Sequence, residues 1–313
     1  MNKLEAQERE STLSDNDILD IVLNAEQEVI EAMEDVMDGH LNPLIIRGPA
    51  GVGKSQLVEE MTISRGIIST DFIGSTFTSP EEGPSYPYHC DDIRTQPGAL
   101  MRGADYAVWA FVADLFANQE QGAICLDDND SILRDKNFCA LVLKATEQRK
   151  TNLISYPKAI TTHELQMYGV KSTFQVNTPI IILTNLDMQE QIRTANQKER
   201  HGKAAKKDYI SRWEALESRG KYIDIQMNSP RSIRVYCENK IKTVNMLTEN
   251  AWLEKTCGRS LTNDEQEQAL KWIRHNQSKL KKPLDLRTYN KLASIMIRRE
   301  NWIKSAEVSF LHA

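Results

Sequence analysis

Short apolar runs alternate with stretches of helical periodicity along the first 228 residues of the chain. The runs occupy residues 42–47, 122–126 and 179–184, and residues 221–225 are a plausible fourth strand. Helical spacing of apolar residues occupies 56–61, 100–117 and 138–146. Short continuous apolar runs separated by helices are typical of parallel strands that are buried on both faces. The pattern therefore predicts the α/β class, with a mostly parallel sheet covered by helices.

Helical periodicity alone occupies both ends of the chain. Near the start, Ser14 and Asp17 can cap a helix whose apolar positions repeat until Gly39. From about residue 229 apolar residues recur at helical spacing and no strand pattern returns. We therefore predict an N-terminal helical segment packed on the core (1–41), an α/β core (42–228) and a small all-helical domain (229–313).

Composition places the 313 residues among ordinary globular proteins, with 40% hydrophobic and 27% charged residues. No apolar run is long enough to span a membrane, and the N-terminus lacks the apolar segment of a secretory signal. The five cysteines are scattered without a C-x-x-C pair, which favours reduced thiols. We predict a cytoplasmic protein without membrane association.

Charge is distributed unevenly between the two ends of the chain. Residues 1–41 contain twelve Asp or Glu against two Lys or Arg, whereas residues 258–313 contain eleven Lys or Arg against six Asp or Glu. Two interpretations stand. The ends are two solvated helical surfaces, or the acidic end of one subunit meets the basic end of its neighbour.

A phosphate-binding motif follows the first apolar run. Residues 48–55 read Gly-Pro-Ala-Gly-Val-Gly-Lys-Ser and match G-x-x-x-x-G-K-[ST], between a predicted strand and a predicted helix. In this motif backbone N–H groups surround the phosphates, Lys54 reaches the β- and γ-phosphates, and Ser55 ligates Mg²⁺. The predicted nucleotide contacts are Gly48, Pro49, Ala50, Gly51, Val52, Gly53, Lys54, Ser55 and Gln56.

Polar residues end the next two apolar runs. Asp127 is predicted to hold Mg²⁺ together with Ser55, and Asp128 to deprotonate the attacking water, with Asp130 as a third candidate. Asn185, after the third run, could hold that water near the γ-phosphate. The alternative is that these residues are ordinary strand ends and turns.

The order of these features resembles the AAA+ ATPases, over about residues 15 to 300. Residues 126–133 and 286–289 are most similar to small AAA+ ATPases encoded by bacteriophages. The resemblance implies that Asn185 is the sensor 1 residue and that Arg219 is an arginine finger inserted into a neighbour's site. It also implies that Arg287 is the sensor 2 residue. The alternatives for sensor 2 are Arg231 and Arg234.

The same resemblance implies a Mg²⁺-dependent ATPase that binds and hydrolyses ATP at subunit interfaces of a homo-oligomer, a ring or an arc. Asp128 stands where the family usually has Glu, so slow hydrolysis is one expectation. We predict a phage-type motor acting on nucleic acid in replication, recombination or packaging, in the host cytoplasm if the chain is phage-encoded. The alternative is an ATP-dependent remodeller of a protein partner, or a nucleotide-controlled switch or scaffold.

One basic stretch, residues 198–207, offers a contact for DNA phosphates. Its cations are Lys198, Arg200, Lys203, Lys206 and Lys207. The stretch lacks the interleaved aromatic residues on which bases stack, so a solvated basic loop is the other interpretation.

Overall fold

A computed structural model of the chain describes most of its elements. The described residues are 8, 10–64, 68–70, 98–102, 108–117, 123–127, 135–147, 152–167, 169–187, 207–227 and 229–312. By their contacts the residues form two compact units. We call Gln27–Gly48 with Lys54–Asp224 the sheet unit, and Met1–Glu26, Pro49–Gly53 and Ile225–Ala313 the helical unit. The domain limits suggested by the sequence stay a prediction.

Strands and helices are interspersed up to β8, and the described elements after β8 are helices. The strands are β1 (Leu44–Arg47), β2 (Ile68–Thr70), β3 (Gly98–Arg102), β4 (Ala123–Asp127), β5 (Leu153–Ser155), β6 (Thr173–Gln175), β7 (Ile180–Thr184) and β8 (Lys221–Asp224). The helices are α1 (Asp15–Met37), α2 (Lys54–Ser64), α3 (Val108–Ala117), α4 (Lys136–Ala145), α5 (His163–Met167), α6 (Lys207–Glu217), α7 (Pro230–Thr243), α8 (Ala251–Cys257), α9 (Asn263–Asn276), α10 (Leu286–Arg298) and α11 (Trp302–Phe310).

Six strands form a parallel sheet in the order β2-β3-β4-β7-β1-β8. All five residues of β7 are buried, which explains why its sequence is a continuous apolar run. The α/β class with a mostly parallel sheet, predicted from these runs, is confirmed. Since parallel strands share one direction, the loops that follow β1, β4 and β7 leave the sheet at the same edge.

Aromatic residues fill the core of the sheet unit. The rings of Phe111 and Phe138 lie 5.1 Å apart, and those of Trp213 and Tyr222 meet edge to face at 5.9 Å. Burying each such side chain stabilises the fold by roughly 1.5–3 kcal/mol. Cys125 is also fully buried, and burial raises the pKa of its thiol well above the ordinary value. It therefore packs as a small neutral side chain.

The predicted helix over residues 100–117 is wrong in its first part. Residues 98–102 form β3, and the helix begins at Val108. The residues of β3 pair with β2 on one side and β4 on the other, so hydrogen bonding across the sheet decides their structure. The antiparallel pair of β5 and β6 also lacks a clear sequence pattern, because each strand has three residues with one buried.

The helical unit has a core of its own, in which Leu270, Trp272, Tyr289 and Leu292 are buried. The first part of α1 belongs to this unit, and its acidic side chains pair with cations of α7. An oxygen of Asp15 lies 2.6 Å from Arg231 and another 3.0 Å from Arg234, and Glu26 forms an ion pair with Lys240. Among the helices of the described residues, none is long and apolar enough to cross a membrane.

Candidate functional site

The glycine-rich loop joins the carboxyl end of β1 to the first turn of α2. Gly48 donates its N–H to the carbonyl of Thr184, the last residue of the neighbouring β7, at 3.2 Å. Helix α2 begins at Lys54 and runs for 11 residues. Its first N–H groups and the positive end of its dipole therefore lie directly after the loop, where an anion is stabilised.

Lys54 is buried, and its ammonium group has two acceptors in the sheet unit. The Nζ atom donates to the carbonyl of Gly48 at 3.0 Å and to Oδ1 of Asn185 at 2.6 Å. A buried ammonium requires such acceptors, because leaving it unpaired is costly. The structure thus brings together Lys54 and Asn185, which lie 131 positions apart in the sequence.

Ser55 and Asp127 form the second contact of the site. The Ser55 hydroxyl donates to Oδ2 of Asp127 at 2.6 Å, across 72 positions of sequence. Asp127 ends β4, so its carboxylate leaves the sheet at the same edge as the loop. A hydroxyl beside a carboxylate is an all-oxygen donor set, which suits Mg²⁺ bound by few protein ligands and by phosphate oxygens.

Other predicted contacts differ in their placement. Val52 is buried, whereas the exposed Gln56 donates its side-chain amide to Glu60 at 2.8 Å, one turn further along α2. Asp128, Asp130, Lys198, Arg200, Lys203 and Lys206 lie outside the described residues, and Lys207 is the first residue of α6. The roles predicted for these residues stay predictions.

Within the helical unit the loop segment Pro49–Gly53 contacts the start of α10. Gly51 and Gly53 have φ angles of 72° and 95°, in the left-handed region that favours glycine. The carbonyl of Gly51 accepts the N–H of Leu286 at 3.1 Å. A Cβ atom on Gly51 would lie 2.6 Å from Cβ of Asp285, so both the backbone angle and the space require glycine there.

We expect Gly51→Ala to lower the free energy of unfolding by roughly 2–3 kcal/mol, since it adds overpacking to left-handed strain. Gly258→Ala is the matched control, because Gly258 has a φ angle of 83° and a Cβ atom there would have no atom within 4 Å. Gly258→Ala introduces the left-handed strain without overpacking, so we expect it to lower the free energy of unfolding by roughly 1 kcal/mol. Urea unfolding of both variants measures the difference, and equal losses would contradict the close approach of Asp285.

Arg287 is exposed on the first turn of α10, the helix that Asp285 caps. The Asp285 carboxylate accepts the backbone N–H and the hydroxyl of Thr288, each at 2.7 Å. Among the described carboxylates none forms an ion pair with Arg287, whereas Arg231 and Arg234 both pair with Asp15. The sensor 2 role of Arg287, and the alternatives Arg231 and Arg234, stay predictions.

Arg219 lies between α6 and β8 and is partly buried. Its guanidinium donates to the carbonyl of Leu143 near the end of α4, in the same chain. In this conformation Arg219 therefore provides a hydrogen-bond donor for a carbonyl group in the last turn of α4, where carbonyls lack a partner within the helix. Its predicted role toward a neighbouring subunit is not tested by this contact.

Sequence reasoning missed an ion-pair network beside the loop. Arg47, the last residue of β1, donates to both carboxylate oxygens of Asp224 at 2.8 and 3.0 Å, and it reaches Asp187 at 3.3 Å. Burial raises the pKa of Asp224 above its ordinary value of 3.8, while the hydrogen bonds and charge of Arg47 oppose the rise. The signals in the sequence are Arg47 at the end of the run 42–47 and Asp224 within the predicted strand 221–225.

Comparisons with known proteins find similarities in sequence and in structure. The chain matches no family model. It is 21% identical over 268 residues to an uncharacterized 36.7 kDa protein of Enterobacteria phage T4 from the nrdC-mobD intergenic region, covering 85% of this chain and 67% of that protein.

The structure is also similar to the crystal structure of domain III of the Thermotoga maritima replication initiation protein DnaA. That match has 12% identity and a TM-score of 0.41, and covers 92% of this chain and 93% of that one.

Proposed function

We propose that the chain is a Mg²⁺-dependent ATPase of the AAA+ type. The observation that carries the proposal is the pair of contacts at one edge of the sheet, Lys54 with Asn185 and Ser55 with Asp127. They bring the motif residues beside polar residues from two other strands. An ordinary Gly-rich turn does not require such neighbours. The buried ammonium of Lys54, the Ser55–Asp127 pair and the Asn185 amide together therefore favour a phosphate-binding site.

Each residue has a distinct task in this proposal. The loop amides and the start of α2 attract the phosphates, and the Lys54 ammonium neutralises charge on them. Ser55 and Asp127 would hold Mg²⁺, which when bound offsets the negative charge of the phosphate oxygens. Asn185 would orient the attacking water, and Asp128 would accept its proton.

We infer that the ATPase is a motor of the phage type that acts on nucleic acid, as a homo-oligomer in which a neighbour's Arg219 completes the site. The similarity to a phage T4 protein supports the phage setting. The second candidate is a protein remodeller or a nucleotide-controlled switch with slow hydrolysis. It is favoured by Asp128, whose side chain is one methylene shorter than glutamate.

The test of nucleotide binding is a calorimetric titration of ATP with and without Mg²⁺. We expect Lys54→Ala to weaken ATP binding roughly 10- to 100-fold, since it removes a charge-assisted hydrogen bond. Lys221→Ala is the control, because Lys221 is a partly exposed lysine of the same unit whose partner is Glu28, at 3.1 Å. The proposal fails if the unaltered chain binds no ATP, or if Lys54→Ala and Lys221→Ala bind it equally well.

Stimulation of turnover separates the two candidate classes. A motor on nucleic acid is expected to hydrolyse ATP faster when DNA is added at moderate salt. A remodeller is expected to retain a defined protein only in the presence of ATP. Turnover that DNA leaves unchanged, together with ATP-dependent capture of one protein, would favour the second class.

A further inference from the structure

Two adjacent cavities on the helical unit form one groove with a positive lining. Their volumes are about 510 and 460 Å³, and both are lined by Ser294, Ile295 and Ser309. The remaining lining includes six cations and, among the described residues, no carboxylate. We call this surface the basic groove, and its cations are Lys281, Lys282, Lys291, Arg298, Arg299 and Lys304.

The cations of the basic groove are not neutralised by neighbouring acids. None of the six forms an ion pair with a described carboxylate, whereas Arg231, Arg234 and Arg274 of the same unit do. Lys281 and Arg298 are held in place by backbone carbonyls, at 2.9 Å from Val308 and 2.8 Å from Thr256. A concave surface of one charge sign concentrates the field and attracts polyanions.

An exposed tryptophan lies among these cations. Trp252 of α8 is 49% exposed, whereas Trp272, Trp302 and Phe310 of the same unit are buried or partly buried. It lines the second cavity with Phe310, Lys281, Lys282 and Lys291. Leaving a large aromatic face in water is unfavourable, and a flat partner that carries negative charge would satisfy both the ring and the lysines.

We propose that the basic groove binds a single-stranded nucleic acid. The phosphates contact the cations, and a base stacks on Trp252. A duplex keeps its base faces stacked on each other and so cannot use the ring, while an acidic peptide would use the charges alone. The site goes beyond nucleotide hydrolysis and gives the proposed motor a polymer to act on, at a place distinct from residues 198–207.

The test uses the full chain and a fluorescent oligodeoxythymidylate of about twenty nucleotides, longer than the roughly 4–16 nucleotides that comparable surfaces occupy. Anisotropy without added nucleotide gives the dissociation constant over a range of salt. We expect Trp252→Ala to weaken binding about tenfold and Trp252→Phe to retain most of it. The double variant Lys282→Gln/Lys291→Gln is expected to flatten the salt dependence by about 0.7 per lost contact.

The matched control is Lys242→Gln/Lys271→Gln, which removes the same charge from exposed positions of α7 and α9 outside the groove. Groove variants that bind like this control would overturn the proposal. The proposal would also be overturned if a duplex bound as tightly as the single strand and Trp252→Ala left duplex binding unchanged. Competition by polyglutamate as strong as that by unlabelled oligodeoxythymidylate would overturn it as well. An oligouridylate bound through the same residues would support it.

Nucleic-acid binding and nucleotide binding can fail separately. Lys54→Ala leaves the basic groove unaltered, so we expect it to bind the oligonucleotide as the unaltered chain does when no nucleotide is present. A chain that binds no ATP yet shows dependence on Trp252 and Lys291 would refute the proposed ATPase and keep the groove. A chain that binds ATP but no oligonucleotide would refute the groove proposal and leave the proposed ATPase standing.

Discussion

Replacement of Arg219 by alanine is expected to slow ATP hydrolysis about a thousandfold while the affinity for ATP is kept. Arginines supplied by a neighbouring subunit contribute roughly 10³–10⁵ in rate, because they neutralise charge on the transferred phosphoryl group. In the chain itself Arg219 donates to the carbonyl of Leu143. Loss of such a hydrogen bond costs roughly 1 kcal/mol of stability and does not account for a rate effect of this size.

A local control separates the two roles of Arg219. Burial raises the pKa of the Cys139 thiol to about 11, and the charges of Arg212 and Arg219 both act against this rise. Arg212 thus lies near the same thiol, and Arg212→Ala removes a similar charge from the same part of the sheet unit. We expect it to hydrolyse ATP within a few-fold of the unaltered chain, with a comparable change in thermal unfolding. Similar rate losses in both variants would indicate that Arg219 acts on the fold alone.

Mixed oligomers test whether Arg219 acts in trans. Arg219→Ala subunits keep an intact phosphate loop, and Lys54→Ala subunits keep Arg219, so a mixture contains some complete sites. Hydrolysis is expected to recover on mixing, with a maximum at intermediate ratios. Absence of recovery at every ratio, with assembly confirmed by mass measurement, would contradict a shared site.

A strand of this fold can be predicted from the sequence where its own residues form a continuous apolar run. Strands β1, β4 and β7 are predictable because burial on both faces makes them continuous apolar runs. Strand β8 has a weaker pattern, since it contains two charged residues and Ile223 is the one of its four residues that is buried. The last three residues of β3, 100–102, fall in the stretch 100–117 whose apolar spacing predicts a helix. Its extended form is set by hydrogen bonds to β2 and β4, which are distant in sequence.

The candidate site shows the same limit. Lys54 and Ser55 are predicted from the phosphate-binding motif. Asp127 and Asn185 are predicted from their positions at strand ends, because the carboxyl ends of parallel strands lie at one edge of the sheet. The pairing of Arg47 with Asp224 follows only from the register of β1 on β8, where these two residues are partners. For the basic groove the sequence shows the excess of cations over residues 258–313. It does not show that six of them line one groove, because these cations come from separate helices and connections.

Arg47→Leu is expected to lower the free energy of unfolding by about 3 kcal/mol, because Asp224 then keeps a largely buried charge without its main partner. The Asp224 side chain is 25% exposed. Replacing both residues, as Arg47→Leu/Asp224→Leu, is expected to restore most of the loss, since two packed apolar side chains do not need each other's charge. Urea unfolding at neutral pH gives all three values. Lys221→Ala is the control, and breaking its exposed pair with Glu28 is expected to cost less than about 1 kcal/mol.

The loss in Arg47→Leu is also expected to depend on pH with a definite sign. Burial raises the pKa of Asp224, and removal of Arg47 takes away the hydrogen bonds and charge that oppose the rise. A carboxyl whose native pKa exceeds its unfolded value is favourable to folding below 3.8, and that contribution is lost as pH rises through the native pKa. The deficit of Arg47→Leu should therefore be largest at neutral pH and shrink in mild acid. A deficit that is constant with pH, or a double variant no more stable than Arg47→Leu, would show that Arg47 stabilises the sheet edge by packing and not by its charge.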